Sequence, residues 1–198
     1  MVTPRVEVIL DFVCAHSYIG VTRFLRTVRQ HRAQGRPVDV AFRPFRLRPE
    51  ASTEGELLFE IHRRERGEAV ARQIAADATV GVADGLTLNF RQAVFVNTFD
   101  AHRLLTHASA QGHGEAMAER LFRAYFTDGA NIADPDTLHA LATELGVAPG
   151  LGGNEELHAE LESVHALGIT SVPVFRFSNG LTLTGEQSED AFLAALHD

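Results

Sequence analysis

Between Val6 and Phe45 the hydrophobic pattern changes period twice, and that double switch restricts the fold more than any other feature of the chain. Residues 6–13 (VEVILDFV) begin with alternation and pass into a continuous apolar run rich in β-branched side chains, the pattern of a buried strand. Residues 18–34 then set Ile19, Phe24, Leu25 and Val28 on one helical face with arginines opposite, and Gly35-Arg36-Pro37 stops the helix. Alternation returns over residues 38–45 (VDVAFRPF), which read as a second strand. Strand, helix and strand in such quick succession form a β-α-β unit, with parallel strands and a right-handed crossover.

Helical periods dominate residues 52–145. Ser52 and Thr53 ahead of Glu54 and Glu56 predict a helix start, and Leu58, Ile61, Val70 and Ile74 recur at helical spacing. Residues 93–110, 114–126 and 134–145 read as three further helices, the last opened by Asp134-Pro135 and closed by Gly146. Residues 149–154 (PGLGGN) form a loop, and residues 155–167 a helix. Strands are predicted over 172–177 and 181–184, joined by Ser178-Asn179-Gly180, and a final helix over 188–196. The order βαβ, helical block, αββα predicts an α/β thioredoxin fold with an inserted all-helical domain. The boundaries expected are 1–50 with 155–198 for the thioredoxin-like part and 51–154 for the insertion.

Composition narrows the function. A net charge of −8 argues against nucleic acid as a partner, since phosphate recognition wants a basic face. All 18 basic residues are arginine, which fits a GC-rich coding sequence. A single cysteine excludes an internal disulfide and a cysteine-based structural zinc site. No leader-like pattern opens the chain and no run approaches ~20 apolar residues. A cytoplasmic protein without a membrane partner is the expectation. The histidines at 62, 102, 107, 113, 139, 158 and 165 form no H-E-x-x-H pattern, so no metal site is assigned.

Three stretches carry a resemblance. Residues 11–20 (DFVCAHSYIG) resemble D-x-V-C-x-x-C-Y-x-G; residues 97–104 (NTFDAHRL) and 121–126 (LFRAYF) resemble N-T-x-x-A-H-R-L and L-F-x-A-Y-F; residues 168–175 (GITSVPVF) and 184–187 (TGEQ) resemble G-V-x-G-V-P-x-F and s-G-A-Q. Together they make the chain similar to the FrnE branch of the DsbA family, which also includes 2-hydroxychromene-2-carboxylate isomerases and kappa-class glutathione transferases. Two positions depart from the pattern: Ser17 stands where redox members carry the second cysteine, and Glu186 where alanine is usual.

The resemblance implies that Cys14 is the catalytic thiol, with His16 and Ser17 beside it. A thiol reacts as thiolate, and a strand-to-helix junction favours that form through free N–H groups and the helix dipole. A protonated His16 would add attraction. Ser17 cannot resolve a mixed disulfide as a second cysteine would; it serves either as hydrogen-bond donor to the sulfur or as a helix N-cap. Val172-Pro173 matches the family's cis-proline, whose preceding backbone would pair with an extended ligand. Gly185, Glu186, Gln187 and Asn97 complete the implied substrate- or thiol-binding set. Asn97, His102 and Arg103 either line a ligand cleft between insertion and core or serve helix packing and helix-end hydrogen bonds, the latter being the preferred reading; Arg43, Arg46 and Arg48 either meet an anionic ligand carboxylate or, by default, form a solvated loop.

Three functions follow as alternatives. The first is a thiol–disulfide oxidoreductase or isomerase working through the single Cys14. The second is a glutathione-transferase-like or isomerase enzyme using a small thiol on a small aromatic or polyketide-like substrate. The third is a non-catalytic thioredoxin-fold binding module. No tightly bound cofactor is expected; glutathione or another low-molecular-weight thiol is the co-substrate the resemblance suggests. The partner would be a protein disulfide or a small-molecule thiol substrate, and a homodimer is one assembly the sequence allows.

Overall fold

A computed structural model describes residues 3–148 and 153–197. In chain order the elements are β1 (Arg5–Leu10), α1 (Ala15–Ala33), β2 (Asp39–Pro44), β3 (Glu56–Leu57), α2 (Leu58–Arg66), α3 (Glu68–Ala76), a 3-10 turn (Val82–Asp84), β4 (Val94–Phe95), α4 (Phe99–Ala110), α5 (Gly114–Phe126), α6 (Pro135–Glu144), α7 (Asn154–Ala166), β5 (Val174–Phe177), β6 (Thr182–Thr184) and α8 (Glu189–His197). They fall into two compact units, Met1–Leu47 with Gly153–Asp198, and Arg48–Gly152.

The first unit is built on a four-stranded sheet of order β2-β1-β5-β6. β1 and β2 run parallel, as the β-α-β reading requires, while β5 is antiparallel to both β1 and β6. Side chains alternate across a strand, so the register assigns the two faces. Val8 pairs with Phe175, and Phe175 stacks against Phe24 of α1 and Phe192 of α8 at centroid distances of 5.1 and 4.6 Å. Ile9 pairs with Val174 and faces the other way, into a cluster with Val164 of α7, Val172 and Cys14. Helices therefore cover both faces of β1, which is why its sequence reads as an unbroken apolar run. α1 approaches β5 closely at Gly20, where an added Cβ would lie 2.9 Å from Pro173 Cγ.

The second unit packs α4, α5 and α6 around Leu104, Met117, Leu121, Phe122, Leu138 and Leu141, all buried. Asp134 caps α6 as predicted, its Oδ2 accepting from the Thr137 N–H at 2.8 Å. Three expectations are corrected. Ser52 does not start a helix: its Oγ accepts from the Glu54 N–H in a local turn, and the chain runs on as β3 paired with β4. The helical period from Leu58 to Ile74 is split at Gly67, whose φ of 88° ends α2 and begins α3. The helix predicted from residue 93 starts at Phe99, because Val94 and Phe95 are spent on β4. Of the predicted loop 149–154, residues 149–152 lie outside the described residues, and α7 begins at Asn154.

No helix among the described residues is long and apolar enough to cross a membrane.

Candidate active site

Cys14 is the N-cap residue of α1, with extended backbone (φ −98°, ψ 111°). Its N–H donates to Asp11 O, and its own carbonyl accepts from the Tyr18 N–H at 3.1 Å, the first turn of the helix. The chain enters this position from the buried strand β1 through Asp11, Phe12 and Val13, so the thiol is delivered to the helix N-terminus at the edge of the core. Only 9 % of Cys14 is exposed.

The thiol points at the loop before β5. Its S–H donates to the Val172 carbonyl at 3.5 Å, and the Val172-Pro173 peptide bond is cis, as expected. The Pro173 carbonyl in turn accepts from the Gly185 N–H at 2.8 Å, which ties the loop after β6 to the same place. Strand β5 begins only at Val174, because Pro173 has no N–H to give a ladder.

The surroundings of the sulfur act in both directions on its ionisation. Burial raises the Cys14 pKa above the ordinary thiol value, the dominant effect. The Ser17 hydroxyl, the Ser17 N–H and the His16 N–H favour the thiolate, while the negative charge of Asp11 disfavours it. The helix N-terminus does act, but through donors too few to outweigh desolvation.

His16 is held by the loop after β6. Its ring Nδ1 donates to Glu186 Oε1 at 2.5 Å, and 74 % of its side chain is exposed. Glu186, the smaller departure from the family pattern, is thus the partner of His16 across the loop. Ser17 is fully buried, and its Oγ makes no hydrogen bond of good geometry, although it lies close enough to Cys14 to favour the thiolate. The N-cap alternative for Ser17 is removed, since the cap position belongs to Cys14.

Two predicted ligand-binding side chains are occupied elsewhere. Gln187 Nε2 donates to Thr184 O at 2.6 Å and closes its own turn. Asn97 donates to the carbonyls of Pro49 and Ala51 at 2.9 and 3.1 Å, and accepts from the Phe99 N–H ahead of α4. Asp11 is a residue that sequence reasoning left out of the site. It is fully buried, its Oδ2 accepts from the Leu47 N–H at 2.7 Å, and its charge reaches the sulfur. A lone acid inside the apolar run VILDFV was the available signal.

The family is decided by comparison with known sequences: residues 5–197 match the DSBA-like thioredoxin domain. The chain belongs to that family. It is 24 % identical over 207 residues to the Bacillus subtilis (strain 168) protein YwbO, covering 99 % of this chain and 97 % of that one. A probable DsbA oxidoreductase from Streptomyces coelicolor superimposes with a TM-score of 0.84 at 26 % identity, over 98 % of this chain and 88 % of that one. The cytosolic disulfide reductase DsbM from Pseudomonas aeruginosa, in its structure with GSH, gives a TM-score of 0.62 at 20 % identity, over 98 % and 97 % of the two chains. The α/β thioredoxin-like fold with a helical insertion is thereby shown for this DSBA-like chain, and its single cysteine sits at the start of α1.

Proposed function

We propose that the protein is a monothiol thiol–disulfide oxidoreductase or isomerase whose nucleophile is Cys14. The observation that carries this reading is the placement of Cys14 Sγ on the Val172 carbonyl beside cis-Pro173, with the buried Ser17 hydroxyl at the position of a second cysteine. After losing its proton, the Cys14 thiolate attacks one sulfur of a substrate disulfide R–S–S–R′. The Cys14–S–S–R bond forms, the substrate S–S bond breaks, and R′–S⁻ leaves with the electron pair. Ser17 cannot attack this mixed disulfide, so an external thiolate does so, regenerating the Cys14 thiolate and carrying R away as a new disulfide. In the isomerase variant, the substrate's own second thiolate expels Cys14.

The loops of Val172-Pro173 and Gly185-Glu186 are the surfaces proposed to receive the substrate. An incoming N–H that takes the Val172 carbonyl would displace the S–H donor and release the sulfur. The external thiol is proposed to be glutathione or a similar small thiol, a reading supported by the structure of DsbM with GSH, and a reducing compartment such as the cytoplasm would supply it.

The test is turnover of a peptide disulfide in a small-thiol buffer. The rate is expected to vanish in Cys14→Ser and to rise with external thiol concentration. Turnover retained in Cys14→Ser contradicts the assignment.

A further inference from the structure

The far end of α1 carries a second group of polar residues that the thiol chemistry does not use. His31, in the last turn, is 17 positions from Cys14, about 25 Å along the helix axis at its usual rise. It lines a cleft of about 680 Å³, in the size range of small-molecule sites. Arg36 and His197 share that cleft, with Pro4, Pro37 and Leu196 forming apolar wall. All of these residues belong to the thioredoxin-like unit.

The polar groups are arranged for an anion. Arg36 Nη1 donates to His197 Nε2 at 2.5 Å, so that nitrogen presents a lone pair and the proton of His197 is on Nδ1. Arg36 Nη2 donates to Gln34 Oε1 at 2.6 Å, which fixes the guanidinium while leaving its other donors open. The His31 and His197 rings lie 5.4 Å apart. His31 is 3 % exposed, yet its buried Nδ1 has no hydrogen-bond partner. No carboxylate lines the cleft among the described residues. The carbonyls of His31 and Arg32 are already engaged by the Gln34, Gly35 and Arg36 N–H groups, so the helix end offers the cleft few acceptors.

We propose that this cleft binds an organic carboxylate with a short hydrocarbon body, its head between Arg36 and the two histidines and its body along Pro4, Pro37 and Leu196. A cation does not fit, because Arg36 already occupies the approach to His197. Binding takes up a proton. Burial first, and then the charge of Arg36, holds the His31 pKa below its ordinary value. A seated carboxylate reverses that balance. Among the described residues, Arg32 donates to the Val38 carbonyl and Arg5 pairs with Asp39 at 3.4 Å. Affinity therefore rises as pH falls.

The experiment is calorimetric titration of the whole protein with sodium hexanoate, and separately with inorganic phosphate, at ~pH 6 and ~pH 8. Saturable one-to-one hexanoate binding is expected, about tenfold tighter at the lower pH and weakened at least about tenfold in Arg36→Gln. His31→Gln should abolish most of the pH dependence while keeping the affinity seen at the higher pH. The alkylation rate of Cys14 should be unchanged in both variants, which separates this site from the thiol chemistry. Absence of saturable hexanoate binding, or unaltered binding in a folded Arg36→Gln protein, overturns the proposal. Phosphate binding tighter than hexanoate overturns the assignment of a hydrocarbon body.

Discussion

Ser17→Ala should stabilise the fold and make the thiol harder to ionise, a pairing of effects that follows from one hydroxyl. Ser17 is fully buried and its Oγ has no hydrogen-bond partner of good geometry. Leaving a buried hydroxyl unsatisfied costs about 1–3 kcal/mol. Replacing it with hydrogen leaves a gap of roughly 12 Å³, which at the usual cavity cost subtracts about 0.3 kcal/mol. The net gain is on the order of 1 kcal/mol, or a Tm rise of about 2–4 °C for a chain of this size. The same hydroxyl favours the Cys14 thiolate, so its removal pushes the thiol pKa further up. Thermal unfolding and the pH profile of iodoacetamide alkylation measure the two effects. A Tm rise together with an alkylation profile displaced to higher pH is predicted. A destabilised variant with an unchanged profile would refute the reasoning, because the hydroxyl would then serve packing or backbone and not the sulfur.

Four further outcomes are expected. Gly20→Ala drives a Cβ to 2.9 Å from Pro173 Cγ and 3.4 Å from Gly185 O, and overpacking of this kind costs about 1–3 kcal/mol, read by denaturant unfolding. Phe24→Ala removes a ring packed between Phe175 and Phe192 and should cost about 3–5 kcal/mol in the same assay. For Cys14 the folded pKa is raised, so its contribution to stability is complete below the unfolded thiol value of about 8.5 and is lost as pH rises through the folded value. Unfolding of wild type and Cys14→Ala at neutral and alkaline pH should show the wild type alone losing this contribution. Ser17→Cys should create an internal disulfide with Cys14 detectable by mass spectrometry after mild oxidation; a variant that stays fully reduced counts against the proposed placement of the two side chains.

Much of the fold was legible because its signals are local. The apolar run of β1, the arginine-faced helix α1, the Asp134-Pro135 start and the Asn179-Gly180 turn each encode their own geometry. The errors arise where tertiary pairing overrides local period. Val94 and Phe95 continue a helical pattern in sequence but are used by the β3–β4 pair. Asn97 and Thr98 mark the true entry to α4, and the Asn97 side chain satisfies the Phe99 N–H there. At the candidate site, the sequence places the cysteine at the helix start but does not reveal its protonation. That depends on burial by Val164, Val172 and Val174, residues distant in sequence, and on the charge of Asp11. Nor does the sequence reveal that the exposed ring of His16 meets Glu186.

The central claim is that Cys14 alone performs the exchange. Its most direct test is intact-protein mass spectrometry of the reduced protein after incubation with a small peptide disulfide. The account predicts a single adduct on Cys14, one peptide thiol in mass, that persists until an external thiol is added and then disappears with recovery of the free protein. No adduct on the folded protein, under conditions where the urea-unfolded chain is modified, would contradict it.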